Sequence, residues 1–192
     1  MKITKPFADY RTNNLEELPI WFFEDCQLPD IDYNKLVWID ECNAGELLDN
    51  PIYKKRLVAP WEQNHNNPLF VSLAPIVKNI ISSFKDQSPI ENLEQQWPYD
   101  TWNLQNFYFV IKKDIEDFYM GPHLDNRNIK WTFIMNLEDN PNSTTFYVDG
   151  KTVQGPAQKG SGVFYFNHHE LLHSIGPILR DRFILFYMNV VK

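Results

Sequence analysis

Two groups of histidine and carboxylate residues in the second half of the chain have the types and spacing of metal ligands. In the stretch GPHLDN, His123 and Asp125 are separated by one residue, and His173 follows fifty positions after His123. Two imidazoles and one carboxylate on one face of an octahedral Fe(II) leave three positions open for other ligands, which suits oxygen chemistry. With 5 histidines and 25 acidic residues in the chain, an HxD pair alone is weak evidence, so the prediction depends on the third ligand.

The second group gives a competing interpretation that shares His173. The run His169-Glu170-Leu171-Leu172-His173 is an HExxH sequence, which on a helix places two imidazoles one turn apart on zinc with the glutamate as general base. The position that should supply a third histidine in the extended motif is Leu179, and Pro177 would end a helix just beyond the site. The sequence therefore favours the iron site over the zinc site.

Size and composition indicate one globular domain. The chain has 192 residues and a formal net charge of −7, and this length is enough to bury a core. The negative charge disfavours nucleic acid or an anionic membrane as partner, because affinity for phosphates comes from lysine and arginine. The sequence has neither a signal-peptide pattern nor a membrane-spanning apolar run, so we expect a soluble, cytoplasmic protein. Cys26 and Cys42 lack CxxC and zinc-finger spacing, and we expect two reduced thiols.

The elements that must position the candidate ligands divide the domain near residue 100. Residues 1–100 have short apolar clusters interrupted by Pro, Asn and Asp, which predicts a helical and irregular N-terminal elaboration. Its clearest element is Asn67 to Phe84, where apolar residues recur at helical spacing after an Asn-Pro start. We expect this helix to pack its apolar face against the outside of a sheet.

Residues 101–192 have the pattern of a β-sheet core. Short runs rich in Phe, Tyr, Ile, Val and Thr are bounded by turn sequences such as DNPN, DGK and KGSG. Short strands at this spacing along the chain predict an antiparallel sandwich or barrel. The predicted strands are Asn106–Lys112, Lys130–Leu137, Thr144–Val148, Gly162–Asn167 and Arg182–Val191.

The segment after His173 carries a family resemblance. His173 is followed at +4 by Pro177 and at +9 by Arg182, which opens the strand RFILFYMNV. This HSIGP sequence with its following arginine, taken with FYMGPHLDN and KWTFIMNLEDN, resembles the signature of the Fe(II)/2-oxoglutarate-dependent oxygenases, particularly their small phage and bacterial members. The resemblance covers about Asn106 to Val190. It implies an α+β, mainly β fold with a double-stranded β-helix core, a cupin-like jelly roll, and N-terminal helices packed on the sheet.

The resemblance implies roles for four residues. His123, Asp125 and His173 match the metal ligands, which form the catalytic centre of the family. Arg182 matches the residue that pairs with the distal carboxylate of 2-oxoglutarate, and a guanidinium suits this role because it binds a carboxylate through two N–H groups. We therefore expect Fe(II), 2-oxoglutarate and O2 as cofactor and co-substrates.

The chain departs from the family pattern close to this arginine. Many members carry Ser or Thr two residues after it, where this chain has Ile184. The hydroxyl that would complete the carboxylate site is therefore open, and the candidates are Tyr108, Thr132 and Tyr147. A second departure, Asn142-Ser143-Thr144 in place of a Gly-rich turn, leaves the metal site unchanged.

The reaction implied by the resemblance is that of a dioxygenase which hydroxylates a substrate and releases succinate and CO2. The sequence leaves the substrate open between a small molecule and a protein side chain, and it leaves the oligomeric state open. The alternatives are a non-catalytic, cupin-like barrel that binds a metal or ligand without turnover, and the HExxH zinc metalloprotease.

Other residues near the motifs have simpler predicted roles. Arg180 shares the strand parity of Arg182 and is a rival anchor, although its position before Asp181 indicates a turn. Three aromatic residues that could line a substrate cleft are expected to pack in the core instead: Trp102, Tyr119 and Trp131.

Overall fold

The computed structural model describes residues 1–7, 18, 20–41, 55–87, 109–126, 129–140, 142–167 and 171–190. Some residues of interest in the sequence lie outside these ranges: Cys42, Trp102, Tyr108, His169 and Glu170.

Antiparallel strands dominate the described residues. In chain order they are β1 (Lys2–Thr4), β2 (Ile20–Glu24), β3 (Ile39–Asp40), β4 (Arg56–Ala59), β5 (Val110–Asp114), β6 (Met120–His123), β7 (Ile129–Asn136), β8 (Thr144–Val148), β9 (Lys151–Gln154), β10 (Gly162–Phe166), β11 (Leu172–Ile175) and β12 (Arg182–Val190). The helices are α1 (Trp61–Asn64) and α2 (Pro68–Gln87), and Tyr33–Lys35 forms one 3-10 turn.

The strands form two antiparallel sheets. The large sheet has the order β1-β2-β10-β7-β12-β5-β4-β3, and the small sheet has the order β6-β11-β8-β9. Strands from the second half of the chain make the centre of the large sheet. Strands from the first half extend it on both sides, so the two parts of the chain share one sheet.

Side-chain alternation gives the large sheet two apolar faces. Successive residues of a strand point to opposite faces, and on β12 Leu185 therefore belongs to one core and Ile184 to another. The first core lies between the sheet and α2. The second joins Ile134 and Val163 of the large sheet to Phe146 of the small sheet, so the two sheets pack face to face across it.

Helix α2 covers the first face, as its apolar periodicity predicts. Asn67 accepts a hydrogen bond from the backbone N–H of Leu69 at 3.0 Å and so caps the helix. On the sheet side Leu73 and Val77 are fully buried, and the ring of Phe84 stacks on that of Phe164 with centroids 4.8 Å apart. Within the described ranges, no helix has the length and apolar character needed to cross a membrane.

Strands lie at the five predicted positions, and β8 has the predicted bounds. Residues 106–108 of the first predicted strand and residue 191 of the last lie outside the described residues. Strands β6, β9 and β11 were not predicted, because each has only 4 residues, and β6 contains a glycine and a proline. The prediction of a helical and irregular first part was incomplete, since it missed β1 to β4 in the large sheet. The division of the domain near residue 100 stays a prediction.

Candidate metal centre

His123 and His173 meet on two paired strands of the small sheet. His123 ends β6, His173 lies in β11, and the two residues are direct register partners. Directly opposed residues share a face of the sheet, and the two imidazole rings have centroids 4.4 Å apart. Asp125 follows two residues after β6 and brings its carboxylate to the same point.

One ligand atom from each of His123, Asp125 and His173 lies within 4.8 Å of the other two. The Nδ1 atom of His123 is 2.8 Å from the carbonyl oxygen of Gly121, and Nδ1 of His173 is 3.0 Å from that of Leu171. Because a carbonyl oxygen only accepts hydrogen bonds, each Nδ1 carries a proton. In the neutral form of each ring, Nε2 then keeps the lone pair that a metal ion requires.

The carboxylate of Asp125 is oriented by two hydroxyl groups. The hydroxyl of Tyr165 donates to Oδ2 at 2.7 Å, and that of Thr132 donates to the same oxygen at 3.1 Å. These residues are register partners on β10 and β7 of the large sheet. The other oxygen, Oδ1, lies 3.7 Å from Nε2 of His173 and is the one that faces the ligand set.

Burial sets the protonation states that a metal site needs. Burial lowers the pKa of His173, although Asp125 acts in the opposite direction, so the neutral imidazole is favoured. Burial, together with the carboxylate of Asp125, raises the pKa of Tyr165 well above its ordinary value. The tyrosine hydroxyl therefore keeps its proton and remains a donor.

The donor set fits Fe(II). Two imidazole nitrogens and one carboxylate oxygen form the 2-His-1-carboxylate arrangement, and each of the three has a hydrogen-bond partner that fixes its orientation. The structure thus brings together His123, Asp125 and His173 as the sequence predicts. Their role as iron ligands stays a prediction.

The competing HExxH interpretation requires His173 on a helix. Leu172–Ile175 is instead strand β11, which pairs with β6 on one side and β8 on the other. The helical form of the motif is therefore wrong at His173. The first two residues of the motif lie outside the described ranges.

A cavity of about 360 Å³ opens beside the three ligands, a volume typical of small-molecule sites. Its apolar wall includes Ile134, Ile184 and Phe186 of the large sheet and Ile175 of the small sheet. Strand β12 runs along the cavity from Arg182 to Met188, and Met188 is the register partner of Thr132, which holds Asp125. The metal centre therefore lies toward the end of β12, and Arg182 lies toward its start.

Arg182, the predicted carboxylate anchor, is buried and lines this cavity. Its Nε and Nη2 atoms lie 2.8 and 2.7 Å from Oδ2 of Asp114, the residue directly opposite on β5. Among the described residues, Nη1 of Arg182 has no hydrogen-bond partner. The arginine faces the cavity as expected, and its role toward a co-substrate stays a prediction.

Asp114 belongs to a larger charged network. Its Oδ1 atom accepts a hydrogen bond from Nε of Arg56, and Nη1 of Arg56 lies 3.4 Å from Oε2 of Glu41. The ammonium of Lys112 is 2.6 Å from Oε1 of the same glutamate and 4.1 Å from the ring centroid of Phe186. The network therefore continues from Arg182 across β5 and β4 to the end of β3.

Both carboxylates of the network are held in the ionised form. Burial alone would raise the pKa of Asp114, but Arg56 and Arg182 hold it below the ordinary value. In the same way burial opposes ionisation of Glu41, and Lys112 with Arg56 keeps its pKa lowered. Burial lowers the pKa of Lys112, which is the expected penalty for an ammonium taken out of water.

The candidate hydroxyls for the distal carboxylate have other partners. Thr132 donates to Asp125, and the hydroxyl of Tyr147 is 2.9 Å from Oγ of Ser174. The third candidate, Tyr108, lies outside the described residues. The hydroxyl proton of Thr132 is therefore used by Asp125, and Tyr147, the register partner of Leu172, lies on the opposite face of the small sheet from His173.

The structure also shows where Arg180, the alternative carboxylate anchor, and two of the three aromatic residues lie. Arg180 is exposed and donates to the carbonyl oxygen of Asp139 at 2.8 Å, away from the cavity. Trp131 is fully buried in the core beneath α2, which confirms the expectation of packing. For Tyr119 that expectation is wrong, because its side chain is 44% exposed.

Sequence reasoning missed four cavity-side charged residues: Glu41, Arg56, Lys112 and Asp114. Their partners lie between 15 and 71 positions away in the chain, so no local pattern connects them. One signal was available, because Lys112 and Asp114 stand two positions apart on a strand and must share a face.

Comparison with solved structures identifies the class of fold. A prolyl hydroxylase from Trichoplax adhaerens, in complex with a peptide fragment of the hypoxia inducible factor oxygen degradation domain, matches with 13% identity and a TM-score of 0.50, over 70% of this chain and 62% of that one. A prolyl-4-hydroxylase from Pseudomonas putida matches with 12% identity and a TM-score of 0.50, over 71% of this chain and 69% of that one. An oxidoreductase of the 2OG-Fe(II) oxygenase family from Burkholderia pseudomallei matches with 13% identity and a TM-score of 0.41, over 69% and 65%.

The first two likenesses show a fold shared with these hydroxylases. At 12–13% identity these likenesses show the fold alone, and this shared fold agrees with the sequence resemblance. The chain spans less than two thirds of the Trichoplax enzyme, 62% of its length. No protein-family model matches the chain, and no curated protein matches its sequence.

Proposed function

We propose that this protein is an Fe(II)- and 2-oxoglutarate-dependent dioxygenase that hydroxylates its substrate and releases succinate and CO2. The proposal is carried by one observation, the convergence of His123, Asp125 and His173 with both Nδ1 atoms bonded to carbonyl oxygens. The fold shared with two prolyl hydroxylases supports it. In this account the two sheets are the halves of a double-stranded β-helix.

The three proposed ligands form a preorganised binding site for Fe(II). Two Nε2 atoms and Oδ1 of Asp125 would bind the ion on one side and leave its other side toward the cavity. Bound iron supplies the activation of O2 and the oxidation of a substrate C–H bond. Tyr165 and Thr132 hold Oδ2 of the aspartate, so that only one of its oxygens is directed at the ion.

Arg182 positions the co-substrate in this account. Its buried guanidinium lies toward the opposite end of the cavity from the ligands, as an anchor for the distal carboxylate of a bound 2-oxo diacid requires. The apolar side chains of Ile184 and Phe186 line the wall between the two ends. They exclude water from the path and leave the diacid chain in apolar surroundings.

The substrate is proposed to be a small molecule or a protein side chain that presents an apolar group. Leu124 lies between two of the proposed ligands, lines the cavity and is 45% exposed. Met120 of β6 and Ile129 of β7 add apolar side chains to the same cavity lining. A substrate that approaches the metal would therefore pass apolar side chains, which favours an aliphatic C–H group over a charged one.

Metal and co-substrate binding test the proposal without turnover. Calorimetry should detect one Mn(II) or Fe(II) site, and under exclusion of O2 the loaded protein should bind 2-oxoglutarate. His123→Ala should abolish metal binding, whereas His65→Ala, which changes an exposed histidine after α1, should leave it intact.

The same metal-binding measurement distinguishes the dioxygenase from the zinc metalloprotease. In that alternative Glu170→Gln removes the general base and His123→Ala is harmless, whereas the dioxygenase account predicts the reverse. A protein that binds the metal but no 2-oxo acid would favour the non-catalytic barrel.

A further inference from the structure

Among the described residues, the charged network at the Arg182 end of the cavity contains one more cation than carboxylate. Its cations are Arg56, Lys112 and Arg182, and its carboxylates are Glu41 and Asp114. The three cations and Asp114 are all buried. An uncompensated buried charge is costly, so this excess indicates a place where an anionic ligand completes the network.

Arg56 also lines the cavity, but its contacts are with the two carboxylates of the network. Its Nε and Nη1 atoms contact Asp114 and Glu41, and its guanidinium lies 4.1 Å from the ring centroid of Phe118. Phe118 belongs to a separate small core with Ile178. The interactions of Arg56 are therefore those of a residue that holds the two carboxylates in place.

Lys112 is oriented toward the ligand space instead. Its ammonium lies 4.1 Å from the ring centroid of Phe186, a residue of the cavity wall. It has three N–H donors, and within the described residues Glu41 is its only hydrogen-bond acceptor. The ammonium can therefore bind a second acceptor without losing the first.

Lys112 and Arg182 lie on adjacent strands as diagonal neighbours. Arg182 pairs directly with Asp114, and Lys112 lies two positions before Asp114 on the same face of β5. Side chains at such diagonal positions are within reach of each other when they are long. One carboxylate can thus contact both the ammonium and the guanidinium Nη1, which has no hydrogen-bond partner among the described residues.

We propose that Lys112 is a second carboxylate-binding residue of the cavity and that, together with Arg182, it binds the distal carboxylate of a dicarboxylate ligand. In this account Lys112 takes the place of the hydroxyl group, since of the described candidates Thr132 donates to Asp125 and Tyr147 lies on the other face of the small sheet. Glu41 shares the ammonium with the ligand, while Asp114 and Arg56 are positioning residues. The identification of the ligand as 2-oxoglutarate rests on the proposed function; the carboxylate site itself does not.

Glutarate binding to the metal-free protein tests this site directly, because glutarate has two carboxylates and no 2-oxo group to chelate a metal. Lys112→Met should raise the dissociation constant for glutarate about 10- to 100-fold, as expected for loss of a charge-assisted hydrogen bond. The matched control is Lys113→Met, which removes a lysine from the same strand whose ammonium lies 2.7 Å from Asp181 at the surface. Wild-type affinity in Lys112→Met would overturn the proposal.

Glu41→Gln provides a test that misfolding cannot mimic. It removes the carboxylate that competes for Lys112, so glutarate should bind about 3- to 10-fold more tightly. Unchanged or weaker binding would overturn the proposal, and this variant decides the question if Lys112→Met does not fold.

If glutarate binds as predicted but the metal-loaded protein never converts 2-oxoglutarate, the dioxygenase proposal fails and the carboxylate site stands. If the wild-type protein binds the metal but no glutarate, the carboxylate site is refuted and the dioxygenase proposal is unaffected.

Discussion

His123 and His173 are directly opposed on β6 and β11, with their ring centroids 4.4 Å apart. The pairing of two short strands thus determines whether the two candidate histidine ligands meet. A shift of one residue in this register would turn one imidazole to the other face of the sheet. The backbone carbonyls that orient the rings belong to Gly121 and Leu171, each two residues before its histidine, so ring orientation depends on the same local backbone.

Replacement of His173 by alanine should abolish metal binding while the protein remains folded. The ring is one of three proposed ligands. Changes to residues that only orient ligands already reduce metal affinity about 10- to 100-fold, so loss of a ligand should reduce it more than about 100-fold. Titration with Co(II), followed by its visible absorption, measures the effect. Co(II) binding of wild-type strength in His173→Ala would remove this histidine from the site.

Tyr165→Phe should weaken metal binding by about 10-fold without abolishing it. The substitution removes the 2.7 Å hydrogen bond that orients the carboxylate of Asp125 and leaves all three ligand atoms in place. Tyr147→Phe is the matched control, since its hydroxyl contacts Ser174 rather than the aspartate. Equal affinities in the two variants would show that orientation by Tyr165 does not matter.

Asp114→Asn should destabilise the fold by about 3–5 kcal/mol at neutral pH, because it leaves Arg56 and Arg182 buried without their shared carboxylate. Urea unfolding measures this loss. The control Asp117→Asn changes a carboxylate that is 76% exposed beside Lys55, and it should cost less than about 1 kcal/mol.

The same carboxylate should contribute to acid sensitivity. The pKa of Asp114 is lower in the folded protein than its ordinary value because of the two arginines, against the opposing effect of burial. Its stabilising contribution is therefore complete above that ordinary value, near pH 4, and is lost as the pH falls through the lower folded pKa. Wild-type stability should decline more steeply below about pH 4 than that of Asp114→Asn, and parallel declines would contradict this.

Gly160→Ala should destabilise the protein far more than Gly150→Ala. Both glycines have positive φ, 75° and 73°, but a Cβ at Gly160 would collide with the carbonyl oxygen of Cys26, whereas one at Gly150 meets open space. We expect a loss of about 1 kcal/mol for Gly150→Ala from backbone strain alone and at least about 3 kcal/mol for Gly160→Ala. Thermal unfolding of the two variants compares them, and equal losses would mean that the loop before β10 relaxes freely.

The convergence of the three candidate ligands was predictable from the sequence because they have a recognisable spacing. His123 and Asp125 lie within one short motif, and the resemblance around Pro177 and Arg182 identified His173 as their partner. The central strands were predictable as well, since their side chains alternate between two apolar cores. The register that opposes the two histidines was not, because β6 and β11 have weak strand propensity of their own.

The charged network could not be predicted from local pattern. Lys112 in the run VIKKD has the pattern of a surface lysine, and only the pairing of β5 with β4 and β12 places it beside buried partners. Thr132 illustrates the same limit. It was a candidate for the co-substrate carboxylate by residue type, yet its strand position directs it to Asp125.

The central claim is tested most directly by succinate formation. Purified protein supplied with Fe(II), ascorbate, 2-oxoglutarate and air should release succinate slowly even without its substrate, and the release should stop when O2 is removed. His123→Ala should abolish the reaction, whereas His65→Ala and Glu170→Gln should retain it. An iron-loaded wild-type protein that forms no succinate, with or without candidate substrates, would contradict the dioxygenase account.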